Sequence, residues 1–196
     1  AAHEAGATKS AAAYTRIIKE LRKTGPEGRA QAKALEEHLR ESSKAGRRSI
    51  AHPELNWLFD GGHSVFFKPE QTDPLFLKHH FYFMNYYDSL CMAPRDAFLE
   101  HPYLQRDIPA GLSFQDWQFA IETMAAGWHH ASVRDTIIFK RRRDESLVSQ
   151  SRDRRAIIRQ IECMAIDRIS DLGMKDTPAK ARKPRLLDRL AAVFRL

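Results

Sequence analysis

The sequence predicts an α/β protein: a partial mixed sheet with flanking helices, preceded by an N-terminal helical segment. Three observations carry this. Strand-like and helix-like patterns mix between residues 54 and 172. The first fifty residues are rich in Ala, Lys, Arg and Glu, nearly without aromatics, and read as helix only. The strands are too few to complete a doubly wound sheet, and no Gly-rich strand-to-helix turn of the Rossmann or phosphate-loop kind occurs.

Taken in order, residues 1–9 read as a disordered tail, and Ser10–Lys23 as a helix with Tyr14, Ile17, Ile18 and Leu21 on one face. Gly25-Pro26 ends it and starts a second helix over Glu27–Lys44, thin in apolar residues and so expected to lie on a surface or bridge elsewhere. Leu55–Phe59 reads as a strand stopped by Asp60-Gly61-Gly62, Val65–Phe67 as a short extended piece, and Asp73-Pro74 as a turn. Tyr86–Met92 reads as a strand, and Pro94 starts a short helix through Leu99. Ser113 begins the clearest helix: Phe114, Trp117, Ile121 and Met124 share a face, and Gly127 stops it. Val133–Phe139 is a strand, entered from Trp128-His129-His130. A helix follows over Arg152–Leu172 with Ile158, Ile161, Met164 or Ala165, and Ile169 inward, then a last one over Pro184–Leu196. The organisation is a helical extension (1–50), an aromatic-rich domain (51–174), and a basic linker with an amphipathic C-terminal helix (175–196).

The 196 residues suit one ordinary domain, and the 43% apolar share supports a core. The formal charge of +7 points to anionic partners: nucleotide-sugar phosphates, anionic lipid or nucleic acid. Nucleic acid ranks last, since acidic residues are interspersed and no nucleic-acid motif is present. Cys91 and Cys163 lack metal or redox spacing and read as unbridged thiols in a reducing compartment. With no signal peptide and no apolar run of bilayer length, the expected location is cytoplasmic; the amphipathic C-terminal helix is expected either to lie on the inner face of the membrane or to dock back onto the domain. The first residue is Ala1 and not Met, which fits a fragment or a processed chain.

The chemically informative stretch is Ser113-Phe114-Gln115-Asp116-Trp117, opening a helix that ends at Gly127. A strand follows, and then Phe139-Lys140-Arg141-Arg142-Arg143-Asp144-Glu145-Ser146. This order resembles the acceptor-side half of family-two glycosyltransferases: an acidic or Gln-Asp pair and an aromatic at a helix start, a Gly, a strand, then an Arg-rich segment near a Ser. Phe66-Phe67-Lys68-Pro69-Glu70 and Ala93-Pro94-Arg95-Asp96-Ala97-Phe98 resemble two further segments of one branch of that family. The resemblance covers about half the chain, from about Val65 to Ile161. It implies a partial GT-A-like mixed sheet and an inverting enzyme that moves a sugar from a nucleotide-sugar donor to a polysaccharide or lipid-linked acceptor.

By that resemblance Asp116 is the base that takes the acceptor hydroxyl's proton. Arg141, Arg142, Arg143 and Ser146 hold the departing diphosphate, and Gln115, Trp117 and Asn85 face the acceptor. The residue types suit the roles: a carboxylate accepts a proton, and guanidinium groups stabilise a leaving diphosphate. Ser113 with Asp116 three residues on is equally the spacing of a capping box, and the helix dipole at that position lowers a carboxyl pKa. The family also carries an Asp-x-Asp motif for a divalent metal, Mn or Mg, in a nucleotide-binding half; the chain contains no Asp-x-Asp. The alternative is a non-catalytic remnant of the fold that serves as a protein-interaction module. Adjacent histidines in a strand point to opposite faces, so His129-His130 is not read as a metal pair.

Overall fold

The computed structural model describes residues 25–60 and 64–171. The expected helices over Ser10–Lys23 and Pro184–Leu196 lie outside the described residues. The elements are α1 (Pro26–Lys44), β1 (Ser49–Phe59), β2 (Ser64–Phe67), α2 (Arg95–Glu100), α3 (Gln115–Ala125), β3 (His129–Arg141) and α4 (Leu147–Asp153), with 3-10 turns at Lys78–Tyr82, Glu162–Met164 and Ile166–Asp171. The strands form a mixed sheet in the order β2-β1-β3, with β1 antiparallel to β2 and parallel to β3. The α/β class and the small mixed sheet with flanking helices agree with the sequence reading.

β1 begins six residues before the expected Leu55, at Ser49. Pro53 hides this in the sequence, because a proline within a run argues against a central strand. The sheet accommodates it with an irregularity: Ser49–Pro53 pair with His129–Val133, and pairing resumes at Leu55 opposite Ile137. At the break, the Glu54 N–H donates to Thr136 Oγ1 (3.0 Å), and the Asp135 N–H donates to Glu54 Oε2 (3.0 Å). Side chains thus replace the missing ladder bonds. α1 covers this region and does not lie apart on a surface: Leu35 packs with Ala51 and Met92, while Gln31 Oε1 accepts the Ile137 N–H at 3.0 Å. Its few apolar residues suffice because only a narrow stripe meets the sheet; burying one leucine is worth about 1.5–3 kcal/mol.

Two expected elements are absent. Tyr86–Met92 is not a strand: Asn85 Oδ1 accepts from the Tyr87 N–H (3.0 Å) and Asp88 Oδ1 from the Leu90 N–H (3.1 Å). These local turns outcompete a ladder, leaving a single bridge between Met92 and Ala51. The helix expected over Arg152–Leu172 is instead α4, which ends at Asp153. Arg155 takes φ 49°, and the chain then runs extended, the Ile157 N–H donating to Gly111 O (2.8 Å) and its carbonyl accepting from Ser113 N (2.9 Å). Ile158, Ile161 and Met164 still face inward.

α3 separates two apolar clusters. Phe119 joins Ile50, Ala97, Phe98 and Trp128 on one side; Ala120, Ile121 and Met124 join Phe81, Tyr87 and Ile161 on the other. Its C-terminus is a Schellman closure: Gly127 N donates to Met124 O (3.0 Å) and Trp128 N to Thr123 O (2.9 Å), with Gly127 at φ 83°. Nothing lies within 4 Å of a Cβ added there. Gly127→Ala is therefore expected to cost only the left-handed conformation, about 1–2 kcal/mol, read as a shift in the denaturation midpoint.

Under α3 lies a buried histidine pair. His52 Nε2 and His130 Nδ1 are 2.9 Å apart, His130 Nε2 is 2.9 Å from Thr123 Oγ1, and Tyr87 stacks on both rings. The Thr123 hydroxyl donates to Phe119 O (2.5 Å). It therefore accepts from His130 Nε2–H, and His130 Nδ1 accepts from His52 Nε2–H, so both rings are neutral. Burial holds both pKa values below the ordinary histidine range, that of His130 down to about 3; the nearby Lys68 ammonium further disfavours protonated His52, and the two rings disfavour each other's protonation. The unfolded chain then takes up protons first. Stability is full above about pH 6.5 and is lost as pH falls from there toward the folded value. The midpoint of urea unfolding is expected to drop between about pH 7 and about pH 5, and His130→Gln to flatten that slope. A flat wild-type midpoint over this range contradicts the assignment.

Candidate functional site

Asp116 is the second residue of α3. The helix does not begin at Ser113. Phe114 occupies the cap position in the left-handed region (φ 62°, ψ 48°), and no side chain caps the helix. Ser113 Oγ turns away to Ser151 Oγ at 2.7 Å, so the capping box is not formed. Asp116 Oδ1 accepts from the Trp117 N–H at 3.0 Å.

The dipole-lowered pKa expected for Asp116 is overturned. Burial raises it, the nearby Asp88 carboxylate adds to the rise, and backbone N–H groups and Lys140 only partly oppose them. Desolvation outweighs the helix dipole here because the carboxyl is largely withdrawn from water. Around it stand Cys91 and Tyr103, hydrogen-bonded to each other. Burial pushes the Cys91 thiol up to about 12 and the Tyr103 hydroxyl well above its usual value, so both stay protonated. Cys91 and Cys163 form no disulfide.

The neighbouring charge cluster was not read from the sequence. Lys68 Nζ is fully buried and lies 2.8 Å from Asp88 Oδ1. It also donates to Asn56 Oδ1 (3.1 Å) and Leu90 O (3.3 Å). Asn56 Nδ2 donates to Asp88 Oδ2 (2.7 Å), and Lys140 Nζ reaches the same oxygen at 3.0 Å. The two lysines hold Asp88 down at about 2 against the opposing effect of burial. The Phe-Lys-Pro-Glu stretch feeds this arrangement. Lys68 enters the ion cluster, the Pro69 carbonyl accepts from Tyr87 Oη (2.9 Å), and Glu70 takes His129 Nε2 (2.7 Å) and the Ser132 N–H (2.8 Å). His129 and His130 face opposite ways, in keeping with the strand.

The other expected site residues are placed as follows. Lys140 carries the end of β3 to the Asp116 neighbourhood, and Arg141, Arg142 and Arg143 follow it as exposed side chains. Arg141 Nε pairs with Asp60 Oδ2 at 2.6 Å. Ser146 caps α4, accepting from the Ser149 N–H at 3.1 Å. Gln115 bonds Leu104 O and Arg106, and Asn85 closes its own turn. The indole N–H of Trp117 donates to Phe81 O at 3.0 Å, and its ring lines a cavity of about 430 Å³ with Tyr82, Phe114, Ile158 and Met164. Asp116 is not among the residues lining that cavity.

No family model, curated protein or solved structure matches this chain. Among the described residues no three His, Cys, Asp or Glu side chains gather as a metal site. Asp88, the most acidic carboxylate of the cluster, already has both oxygens taken by lysines and Asn56. These residues therefore do not fit the divalent metal implied by the resemblance, and no step is assigned to one. No helix among the described residues is long and apolar enough to cross a membrane.

What remains is one carboxylate of raised pKa beside one held ionised, next to a strand end bearing four consecutive cations, Lys140 to Arg143.

Proposed function

We propose that the chain is the acceptor-side part of an inverting glycosyltransferase, in which Asp116 takes the proton of an acceptor hydroxyl as that oxygen attacks the anomeric carbon of a nucleotide sugar. The acceptor is a glycan or a lipid-linked saccharide of a surface polysaccharide. The observation that carries this reading is the state of Asp116. Its carboxyl sits at a helix start, withdrawn from water beside Asp88, and holds a proton more readily than an ordinary aspartate. A proton acceptor of that kind is stronger than an exposed carboxylate.

The Lys140–Arg143 run supplies the complementary charge for a departing diphosphate. The nucleotide and any divalent metal are assigned to a separate nucleotide-binding half. Membrane association through the segment after residue 174 belongs to the same reading, as does the cytoplasmic face. The test is release of nucleoside diphosphate from a panel of nucleotide sugars by the protein joined to that half. Release that depends on a glycan or lipid-linked acceptor and yields the inverted anomer supports the reading; retention of configuration would sink it.

A second reading, a protein-interaction module built on a remnant of the fold, draws on the local satisfaction of Gln115, Asn85 and Ser146. Calorimetry of the joined protein with a nucleoside diphosphate and manganese separates the two. Heat of binding favours the transferase, and its absence favours the module.

A further inference from the structure

The two faces of the sheet are covered unequally. On one, Ile50 packs with Phe119 of α3, and His52 and His130 connect to Thr123 of the same helix. On the other, Leu35 of α1 packs with Ala51 and Met92, and Leu39 and Val133 join them. By the two-residue period of a strand, Leu55 and Trp57 follow Ala51 on this second face. In register beside Trp57 stand Val65 of β2 and Phe139 of β3, and residues directly opposite share a face. Together they form an apolar stripe across all three strands, with Trp57 39%, Val65 50% and Phe139 64% exposed. An apolar stripe on a sheet face is a surface for another element to cover.

The course of α1 indicates which element. The helix runs antiparallel to β1: His38 Nε2 lies 3.4 Å from Ser49 Oγ, Leu35 meets Ala51, and Gln31 holds the N–H of Ile137, the partner of Leu55. From Gln31 back to Gly25 is roughly 9 Å along the helix axis, and from Leu55 on to Trp57 roughly 7 Å along the strand. The start of α1 therefore lies level with the stripe. Gly25 takes φ 96° there, ahead of Pro26. The segment that precedes it, Ser10–Lys23, carries Tyr14, Ile17, Ile18 and Leu21 at helical spacing. That face is about 10 Å long, and the stripe spans two strand spacings, also about 10 Å. The C-terminal segment departs from the other side of the sheet, where Ile161 and Met164 pack with Ala120 and Ile121 of α3.

We propose that the segment Ser10–Lys23 docks its Tyr14, Ile17, Ile18 and Leu21 face on the Val65–Trp57–Phe139 stripe, completing the cover that α1 begins. Cysteine pairs in the 196-residue chain test this. Cys163→Ser removes the half-buried native thiol, and Cys91 is buried. Val65→Cys or Phe139→Cys is combined with Ile17→Cys or Leu21→Cys on the apolar face, or with Lys19→Cys on the opposite face. Each pair is treated with a short bis-maleimide, and the products are identified by peptide mapping. The expected result is a cross-link within one molecule from Ile17→Cys or Leu21→Cys, lost with Lys19→Cys. A pairing that does not fold leaves the remaining ones to decide. No cross-link from the apolar face, or equal cross-linking from Lys19→Cys, overturns the proposal. Cross-links only between molecules also overturn it and assign the stripe to a second copy of the chain. The outcome is independent of the role of Asp116.

Discussion

Replacing Asp88 with alanine is expected to destabilise the fold by about 3–5 kcal/mol. The cause is the partner left behind. Lys68 Nζ is fully buried, and its remaining partners, Asn56 Oδ1 and Leu90 O, carry no charge to neutralise it. Burial already lowers the Lys68 pKa, with Asp88 as the main opposing influence. Without Asp88 the lysine either keeps an uncompensated charge in the core or gives up its proton, and both outcomes cost stability. Lys140 loses the same partner at little cost, being 41% exposed. The pair Asp88→Leu with Lys68→Met is expected to recover most of the loss, because the charge and its counter-charge leave together. Denaturant unfolding of the single and double variants measures both terms. A single-variant loss below about 1 kcal/mol, the range of exposed pairs, would mean that water reaches Lys68.

The elements that were legible in the sequence are those whose signal is local. α2 and α3 announce themselves by Pro94, by helical spacing of apolar residues and by Gly127, and β3 by its β-branched run. The bounds of α1 emerge from Gly25-Pro26. The misreadings share a different cause: a non-local or side-chain interaction decided the backbone. Asn85 and Asp88 folded an apparent strand into turns. Pairing of Ile157 with the Gly111–Ser113 segment drew out what looked like a continuous helix. Pro53 masked the first half of β1, which pairing with β3, the Ala51–Met92 bridge and the Glu54–Thr136 bond sustain.

The candidate site divides in the same way. Asp116 stood out because a carboxylate at a helix start, followed by an aromatic, is a local pattern. Its environment did not, since Asn56, Lys68, Asp88 and Lys140 are joined only by the fold. The expected direction of its pKa shift was wrong for that reason: the dipole is visible in sequence and burial is not. Asn85 and Ser146, expected as ligand contacts, each also accept a nearby backbone N–H. Their residue types are those that turns and caps favour, a signal present in the sequence throughout.

Asp116→Asn is the substitution with the largest expected effect on activity. The amide keeps an oxygen to accept the Trp117 N–H and is nearly isosteric, so the fold and its denaturation midpoint should hold. It cannot take a proton from a hydroxyl. Loss of a positioned general base lowers turnover by roughly 10²–10⁴-fold. The pH profile carries a second signature. A base works in its ionised form, so activity falls as pH drops through its pKa. With that pKa raised by burial and Asp88, the acid limb of kcat/KM should lie above the ordinary aspartate value of about 3.9.

The most direct measurement is therefore turnover of the joined, full enzyme with Asp116 intact and with Asp116→Asn, in the same buffer and with the fold of both verified by circular dichroism. The expected result is transfer to acceptor by the first and a loss of at least about a hundredfold in the second. Equal turnover by the two proteins would contradict the assignment of Asp116 as the proton acceptor.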